Sequence, residues 1–255
     1  MKFIYWDEFP SLIAGTSTRL GGVSKNNYRS LNLSYEVGDD PLLVKKNREL
    51  FFSALDIEVD QIIFTKQHHS TIIAKVDLRD GGRGASEFAD GINGDALYTY
   101  EKNLYLAIYH ADCVPILFYA PKYGLIGIIH AGDEGTLNGV SEKVIREVIE
   151  KEKIEPSELH FYFGPSVSFG HNEISKEKAE AIASLDKVYA RGVKRSLGTY
   201  FLDTPFINFL QLRKLGVPTQ NITFSHLCTH ENDHIFYAAG KEHPSGRLVS
   251  FIARV

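Results

Sequence analysis

The chain has 255 residues, 44% of them hydrophobic and 24% charged, which is enough for a substantial core and ordinary for a globular protein. Its 28 Lys and Arg against 32 Asp and Glu give a formal net charge of −4, which argues against a nucleic-acid partner bound through bulk phosphate attraction. Two cysteines form no disulfide framework, no apolar run approaches the ~20 residues of a membrane span, and the N-terminus has no signal-peptide core, so we expect a soluble cytoplasmic protein with no membrane partner.

The first part of the chain predicts one helix and one long strand. The helix begins near Pro41, which suits a first helical turn, with Asp39 or Asp40 as its cap. The β-branched stretch 61–76 predicts a strand, and the glycine-rich stretch 77–95 predicts a long loop.

The middle of the chain, from Leu106 to Gly135, predicts two apolar strands joined by the turn APKYG, with a bend at Pro115. Later elements follow in the order helix 136–154, strand 159–168, helices 175–185 and 204–216, and strands 221–229, 234–240 and 247–255. Strand pairs without intervening helices, mixed with isolated helices, predict an α+β fold. We expect one domain over residues 1–255.

Cys113 and His130 follow these apolar runs and are the first candidates for a functional site. A free cysteine between apolar neighbours is usually a buried hydrophobic residue, but the adjacent Asp112 is polar. A thiolate and two imidazoles suit zinc and leave a fourth coordination position open, with His68 or His69 as the third ligand. Alternatively, Cys113 is a nucleophile and His130 is its base.

A second group of metal-binding residue types lies near the C-terminus. His226, Cys228 and His230 would share one face of an extended strand, and His234 is close by. No Cys-x-x-Cys arm accompanies them. We therefore interpret this group as incidental, or as surroundings of the main site.

A series of short motifs extends over nearly the whole chain. They are TRLGGVS (18–24), LNL (31–33), GDDP (38–41), QHHS (67–70), GDA (94–96), ADCVP (111–115), HAG (130–132), Gly164-Pro165, Glu173, Cys228-Thr229 and Gly246-Arg247. In this order they resemble the YfiH-like family, often described as laccase-domain or polyphenol oxidase proteins and linked to purine nucleoside phosphorylase activity. The ordered series is far more specific than any single motif.

The resemblance implies a metal site and a fold. His69, Cys113 and His130 match the family's zinc ligands, whereas His68 replaces a valine of the family pattern. The implied fold, stacked mixed β-sheets flanked by helices, agrees with the α+β prediction.

The resemblance also implies an enzyme that acts on purine nucleosides, by phosphorolysis of adenosine or inosine or by deamination of adenosine. The expected partners are a small-molecule nucleoside and phosphate. Arg19 is the candidate to hold the phosphate during catalysis. Asp95, Lys241 and Arg247 are further substrate-binding candidates.

The chain departs from the family pattern at two cationic motifs. The family's Trp-Arg after His-Ala-Gly is replaced by Asp133 and Glu134, and its C-terminal arginine pair is reduced to Lys241. Phosphorolysis needs cations or backbone donors to hold its oxyanion, so phosphate use is the feature that these changes affect most. The two carboxylates, next to His130, are candidate proton shuttles and favour hydrolysis.

Two other functions compete with a nucleoside enzyme. A metal-binding pseudoenzyme would retain the ligands without turnover. A copper-dependent polyphenol oxidase is disfavoured because none of the ten histidines stands in a His-x-His pair, although copper is an alternative metal for such a site.

Overall fold

The computed structural model describes residues 2–185 and 187–255, and over these residues two six-stranded sheets dominate the fold. The first sheet contains, in spatial order, β1 (Phe3–Tyr5), β2 (Leu12–Ser17), β15 (Leu248–Arg254), β7 (Tyr105–His110), β3 (Ile62–Lys66) and β5 (Ile92–Asn93). The second contains β14 (Ile222–Phe224), β10 (His160–Phe163), β8 (Val114–Ala120), β9 (Leu125–Ala131), β6 (Ala96–Thr99) and β4 (Ile73–Lys75). A small third sheet contains β11 (Glu173–Ile174), β13 (Thr199–Leu202) and β12 (Val193–Ser196).

Helices accompany these sheets. They are α1 (Pro41–Leu55), α2 (Asp133–Leu137), α3 (Val140–Glu152), α4 (Lys176–Leu185), α5 (Lys187–Ala190) and α6 (Thr204–Lys214). Among the described residues, no helix has the length and apolar character needed to cross a membrane.

The core is layered because successive side chains of each strand point to opposite faces. Leu106 of β7 and Leu117 of β8 contribute to an apolar cluster shared by the two large sheets. Their neighbours point away from it: Tyr109 joins a cluster with α1, and Phe118 joins a cluster with α3 and α6. The prediction of stacked sheets flanked by helices is confirmed.

The start of α1 follows the predicted chemistry. Pro41 is its first residue, and the Asp40 carboxylate accepts the backbone N–H of Leu42 at 2.9 Å. Such a cap stabilises a helix by about 1 kcal/mol. Asp39 has a different partner, because it accepts the hydroxyl of Ser24 at 2.6 Å.

The predicted strand over 61–76 is two strands in two different sheets. β3 ends at Lys66 in the first sheet, and β4 begins at Ile73 in the second. Between them the chain crosses from one sheet to the other, and His69 has a left-handed φ of +60° that breaks the extended backbone.

The bend predicted at Pro115 lies a few residues earlier. β7 ends at His110 in the first sheet, and β8, which includes Pro115, begins at Val114 in the second. The turn is made at Asp112, where φ is +81°. The proline indicates a bend in this region, but the left-handed residue Asp112 makes the crossing.

The predicted strand over 234–240 is wrong. Turn hydrogen bonds organise this segment, from Phe236 N–H to the Asn232 carbonyl at 2.9 Å and from Lys241 N–H to the Ala238 carbonyl at 3.0 Å. The apolar residues of this segment serve packing instead of a sheet, since Phe236 and Tyr237 are fully buried in a small cluster.

Candidate metal centre

Three side chains meet at one edge of the paired sheets. His69 follows β3, Cys113 follows β7, and His130 lies near the end of β9. Since β3 and β7 are adjacent and parallel, the loops that follow them leave the sheet at the same edge. One ligand atom from each of the three side chains lies within 4.8 Å of the others, and Cys113 Sγ is 3.9 Å from His69 Nε2.

The three residues differ in exposure, and the second histidine of the pair lies outside the group. His69 is exposed, Cys113 is half-buried and His130 is buried. The neighbouring His68 instead places its Nδ1 at 3.1 Å from the Lys66 carbonyl. The structure therefore brings together the three residues that the resemblance implied.

Gly132 is required by the crowding of this site. Its φ of −75° is accessible to any residue. However, a Cβ atom there would lie 2.6 Å from His69 Cδ2 and 3.0 Å from Cys113 Sγ. A side chain at this position would therefore displace two of the three candidate ligands, His69 and Cys113.

Asp95 lies behind the three candidate ligands and contacts two of them. Its Oδ1 lies 2.9 Å from His130 Nδ1 and accepts the backbone N–H of His69 at 3.0 Å. Its Oδ2 accepts the N–H and hydroxyl of Ser70, at 2.6 and 2.7 Å. Asp95 is fully buried, and its carboxylate oxygens are taken up by His130, His69 and Ser70. The prediction that it binds substrate stays a prediction.

The protonation of these groups follows from their surroundings. Burial would raise the pKa of Asp95, but hydrogen bonds from His130 and Ser70 outweigh it and lower the pKa to about 2. Burial lowers the pKa of His130, which favours the neutral imidazole that binds metals. With Nδ1 engaged by Asp95, Nε2 is the His130 atom available for an ion.

The Cys113 thiol is a poor nucleophile in this environment without a cation. Burial, together with the carboxylates of Asp133 and Asp112, raises the pKa of the thiol to about 12. A nucleophilic cysteine usually has a lowered pKa, whereas a bound metal ion deprotonates a coordinating thiol outright. The arrangement favours a metal ligand over a Cys-His nucleophile pair.

Gln67 joins the two crossing loops, a role that sequence reasoning missed. Its side-chain oxygen accepts the N–H of Tyr109 at 2.6 Å, and its side-chain nitrogen donates to the Tyr109 carbonyl at 2.7 Å. This two-way bond ties the segment before His69 to the strand before Cys113. The position of Gln67 in the QHHS motif was the available signal.

Two cavities lie beside the candidate ligands, and His69 and Cys113 line both of them. A cavity of about 400 Å³, here called the Glu134 cavity, is lined by His69, Ala111, Asp112, Cys113, Asp133, Glu134, Val167, Asn172, Thr204, Ala239, Gly240 and His243. A cavity of about 350 Å³, the Arg247 cavity, is lined by Ser34, Glu36, Val37, Gln67, His69, Phe88, Tyr109, His110, Ala111, Cys113, His130, Ala239 and Arg247. Both volumes are in the range of small-molecule sites.

The two predicted proton shuttles have different environments. Asp133 accepts hydrogen bonds from Asn172, Thr204 and Lys178, at 3.1, 2.7 and 3.0 Å. Glu134 is exposed on the Glu134 cavity. Of the two, Glu134 has the carboxylate available for proton transfer.

Two of the predicted substrate-binding cations are occupied by protein partners. The buried Arg19 guanidinium donates to the carbonyls of Arg29 and Asp233, at 2.9 and 2.8 Å, and forms an ion pair with Glu242 at 3.1 Å. It also lies 4.5 Å from the centre of the Tyr237 ring. Lys241 pairs with Asp233.

Arg247 is the predicted cation that reaches the centre. It lines the Arg247 cavity, and its Nη1 donates to the carbonyls of Ser245 and Gly246, at 2.8 and 3.0 Å. Among residues 2–185 and 187–255, its Nε and Nη2 have no protein acceptor. Burial lowers the pKa of this guanidinium, but arginine remains a cation in proteins.

The C-terminal histidine and cysteine group does not form the expected strand face. β14 ends at Phe224, and His226 has a φ of +55°. His230 Nε2 lies 3.3 Å from Asp112 Oδ2, which connects this segment to the residue before Cys113. Cys228 instead groups with His171 and Glu231.

Residues 13–255 match the family model described as multi-copper polyphenol oxidoreductase laccase. The chain belongs to this laccase-like, YfiH-type family. The purine nucleoside phosphorylase YlmD of Bacillus subtilis is 34% identical, over 94% of this chain and 88% of that protein. A purine nucleoside phosphorylase of Corynebacterium glutamicum is 34% identical, over 92% of each. The crystal structure of YlmD from Geobacillus stearothermophilus has a TM-score of 0.93 and 32% identity, covering 100% of this chain and 96% of that one.

Proposed function

We propose that this protein is a zinc-dependent enzyme that acts on purine nucleosides, with phosphorolysis of adenosine or inosine as its main reaction. The observation that carries this proposal is the grouping of His69, Cys113 and His130 beside two cavities. His69 and Cys113 line both cavities, and His130 and Arg247 line one of them. The names of its relatives, which include several purine nucleoside phosphorylases, support the same substrate class.

The donor set fits zinc. One sulfur and two imidazole nitrogens are ligands that zinc prefers, and three protein ligands leave one position open. The proposed ligand atoms are Cys113 Sγ, Nε2 of His130 and a ring nitrogen of His69. When bound, zinc would supply Lewis-acid polarisation of a substrate oxygen or of water.

In phosphorolysis, a phosphate oxygen bonds to ribose C1′ while the bond from C1′ to the purine nitrogen breaks, and the base leaves with a proton. We propose that Arg247 holds the phosphate, because its free donors line a cavity beside the ligands and arginine binds oxyanions through paired N–H groups. The exposed carboxylate of Glu36, on the same cavity, is a candidate acceptor for ribose hydroxyls.

Arg19 was predicted to hold the phosphate, and its surroundings support a different role. Its guanidinium already binds two carbonyls and Glu242. Holding Glu242 and the Asp233 carbonyl stabilises the segment that carries Ala239 and Gly240 to the centre. We therefore propose that Arg19 is a positioning residue.

Deamination of adenosine is the second candidate, and Glu134 favours it. The replacement of the family's Trp-Arg puts an exposed carboxylate on the cavity next to the ligands. Glu134 would take a proton from the attacking water and deliver it to the departing ammonia. Asp133, held by three donors, would keep the start of α2 in place.

Turnover of inosine and adenosine, with and without phosphate, tests these assignments. Phosphate-dependent release of the base, lost in His69→Ala and Cys113→Ala and retained in His68→Ala, would support phosphorolysis. Equal base release without phosphate would overturn it. Conversion of adenosine to inosine that is lost in Glu134→Gln would support the deaminase.

Metal analysis of protein purified without added copper separates the remaining alternatives. Copper generally binds such donors more tightly than zinc, so weak oxidase activity after copper addition would report metal exchange. Stoichiometric copper in untreated protein, with oxidation of phenols, would favour the polyphenol oxidase. Bound metal without any turnover would favour the pseudoenzyme.

A further inference from the structure

We propose that His171, Cys228 and Glu231 form a second site for a divalent transition metal such as zinc. One ligand atom from each of these residues lies within 4.8 Å of the others. The Nε2 atom of His171 is 3.3 Å from a carboxylate oxygen of Glu231. Thiolate, imidazole and carboxylate are all zinc ligands, and together they leave one position open. This inference is independent of the nucleoside activity proposed above.

The backbone places two of these ligands on one turn. The Asn232 N–H donates to the Cys228 carbonyl at 3.1 Å, and the Asn232 side chain donates to the same carbonyl at 2.9 Å. This turn brings Glu231 back towards Cys228. Cys228 itself is fixed by a β-bridge to Ser166 and is only 4% exposed.

Ser168 connects the third ligand to the cysteine. Its backbone N–H donates to Cys228 Sγ at 3.3 Å, and its carbonyl accepts the N–H of His171 at 3.0 Å. The N–H donor aimed at the sulfur fixes the position of Cys228 Sγ. Ser168 thus holds both the sulfur of Cys228 and the backbone of His171.

The site is open to ligands on one side. Cys228 and Glu231 line a cavity of about 290 Å³, together with Ser168 and His226. The aromatic rings of Phe163, Phe169 and Phe224 and the side chains of Val167 and Leu227 also line it. The cavity also has a polar part, lined by Ser166, Asp203 and Ser225, so an open coordination position beside it would suit a small ligand with both apolar and polar groups.

The second site is connected to the first through Asp112. The Thr229 hydroxyl, next to Cys228, donates to Asp112 at 2.5 Å, and Cys113 follows Asp112 in the chain. A second connection runs through His230, whose ring centre is 5.5 Å from that of His171 and whose Nε2 lies 3.3 Å from Asp112 Oδ2. A metal at the second site would therefore hold the segment against which the Cys113 loop rests.

Counting bound metal in ligand variants tests the second site. Each variant is purified, loaded with zinc, dialysed and analysed for metal, with thermal unfolding as the folding control. We expect about two ions per chain in the unchanged protein, and about one in Cys113→Ala, in Cys228→Ser and in Glu231→Gln. Combining Cys113→Ala with Cys228→Ser should leave almost none.

Two comparisons make the count decisive. His234→Ala removes an exposed histidine of the same segment and should retain two ions, which controls for zinc on surface histidines. In Cys113→Ala, Cys228 is the one remaining cysteine of the chain. Cobalt added to this variant should therefore give thiolate-to-metal charge-transfer absorption, and the absorption should be absent from the double variant, which has no cysteine. Glu231 is exposed, so Glu231→Gln provides a variant that tests the site even if Cys228→Ser unfolds.

The second site would be refuted by a single ion in the unchanged protein and none in Cys113→Ala. It would also be refuted if Cys113→Ala kept one ion that Glu231→Gln and Cys228→Ser did not affect. Failure of nucleoside turnover would leave these counts unchanged, so the two proposals fail separately.

Discussion

The carboxylate of Asp95 lies 2.9 Å from Nδ1 of His130, with both residues buried. The same oxygen accepts the His69 backbone N–H, so one side chain orients two of the three proposed ligands. The imidazole of His130 is therefore held with Nε2 free, in the tautomer and ring orientation that a metal site requires.

Asp95→Asn should weaken metal binding without removing a ligand. The asparagine amide group cannot accept from both Ser70 and His130 as the carboxylate does, and its own N–H₂ would face one of these donors. Loss of such supporting bonds typically costs 10- to 100-fold in metal affinity. Competition with a coloured zinc chelator measures this affinity.

Asp90→Asn is the matched control for that experiment. Asp90 is an exposed carboxylate a few residues away, 3.9 Å from Arg83. The Asp90→Asn substitution should leave the zinc affinity unchanged. If the unchanged protein and Asp95→Asn bound zinc with equal affinity, Asp95 would not support the metal centre.

Gly132→Ala should disturb the same centre by crowding. The added Cβ would meet the His69 ring at 2.6 Å and Cys113 Sγ at 3.0 Å. Overpacking of this kind costs about 1–3 kcal/mol, and here the displaced atoms are proposed ligands. We expect reduced zinc retention together with a lower melting temperature.

Gly170→Ala provides the comparison, because a Cβ there would have no heavy atom within 4 Å. Zinc content should match that of the unchanged protein. Should Gly132→Ala bind zinc equally well, His69 and Cys113 would not be packed closely against Gly132 in the zinc-bound protein.

Local patterns predicted much of the fold. The buried runs of β8 and β9 and the inward stripe of α3, with Val144, Ile145 and Val148, follow from periodicity within one element. The same reasoning failed for 61–76, since a crossing between two sheets depends on a single left-handed residue, His69.

The candidate site divides in a similar way. Cys113 and His130 stood out as polar residues after apolar runs, and the family resemblance selected His69 over His68. The role of Asp95 depends on β6 lying beside β9, where the His130 N–H donates to the Asp95 carbonyl at 2.7 Å. No spacing in the sequence reveals that pairing, and none reveals that Arg19 meets Glu242.

Arg247→Lys and Arg19→Lys should separate substrate binding from stability. Lysine at position 247 keeps the charge but loses the paired N–H geometry, so KM for phosphate should rise roughly tenfold, the equivalent of one charged hydrogen bond. Lysine at position 19 cannot reach two carbonyls and Glu242 together, and should lower the free energy of unfolding by about 2 kcal/mol.

Phosphate saturation curves and urea unfolding of both variants measure these effects. The reverse result, with a large rise in KM for Arg19→Lys and an unchanged KM for Arg247→Lys, would return the phosphate role to Arg19.

We expect Glu152 to make the free energy of unfolding depend on pH in the acid range. This carboxylate at the end of α3 is 14% exposed and accepts bonds from Lys75, Tyr98 and Tyr100, at 2.9, 2.8 and 2.8 Å. Burial raises its pKa, but these three donors outweigh burial and lower the pKa below the ordinary 4.5. The folded state therefore releases the proton more readily than the unfolded state does.

A lowered pKa stabilises the fold above pH 4.5, and this stabilisation is lost as the pH falls through the folded value. At pH 7, Glu152→Gln should reduce the free energy of unfolding by about 1–2 kcal/mol, because charged hydrogen bonds to β4 and β6 become neutral. The difference from the unchanged protein should shrink below pH 4.5. Urea unfolding at several pH values measures it, with Glu150→Gln, an exposed carboxylate of the same helix, as the control. A difference that stayed constant down to pH 3 would show that Glu152 stabilises α3 through its shape and not through its charge.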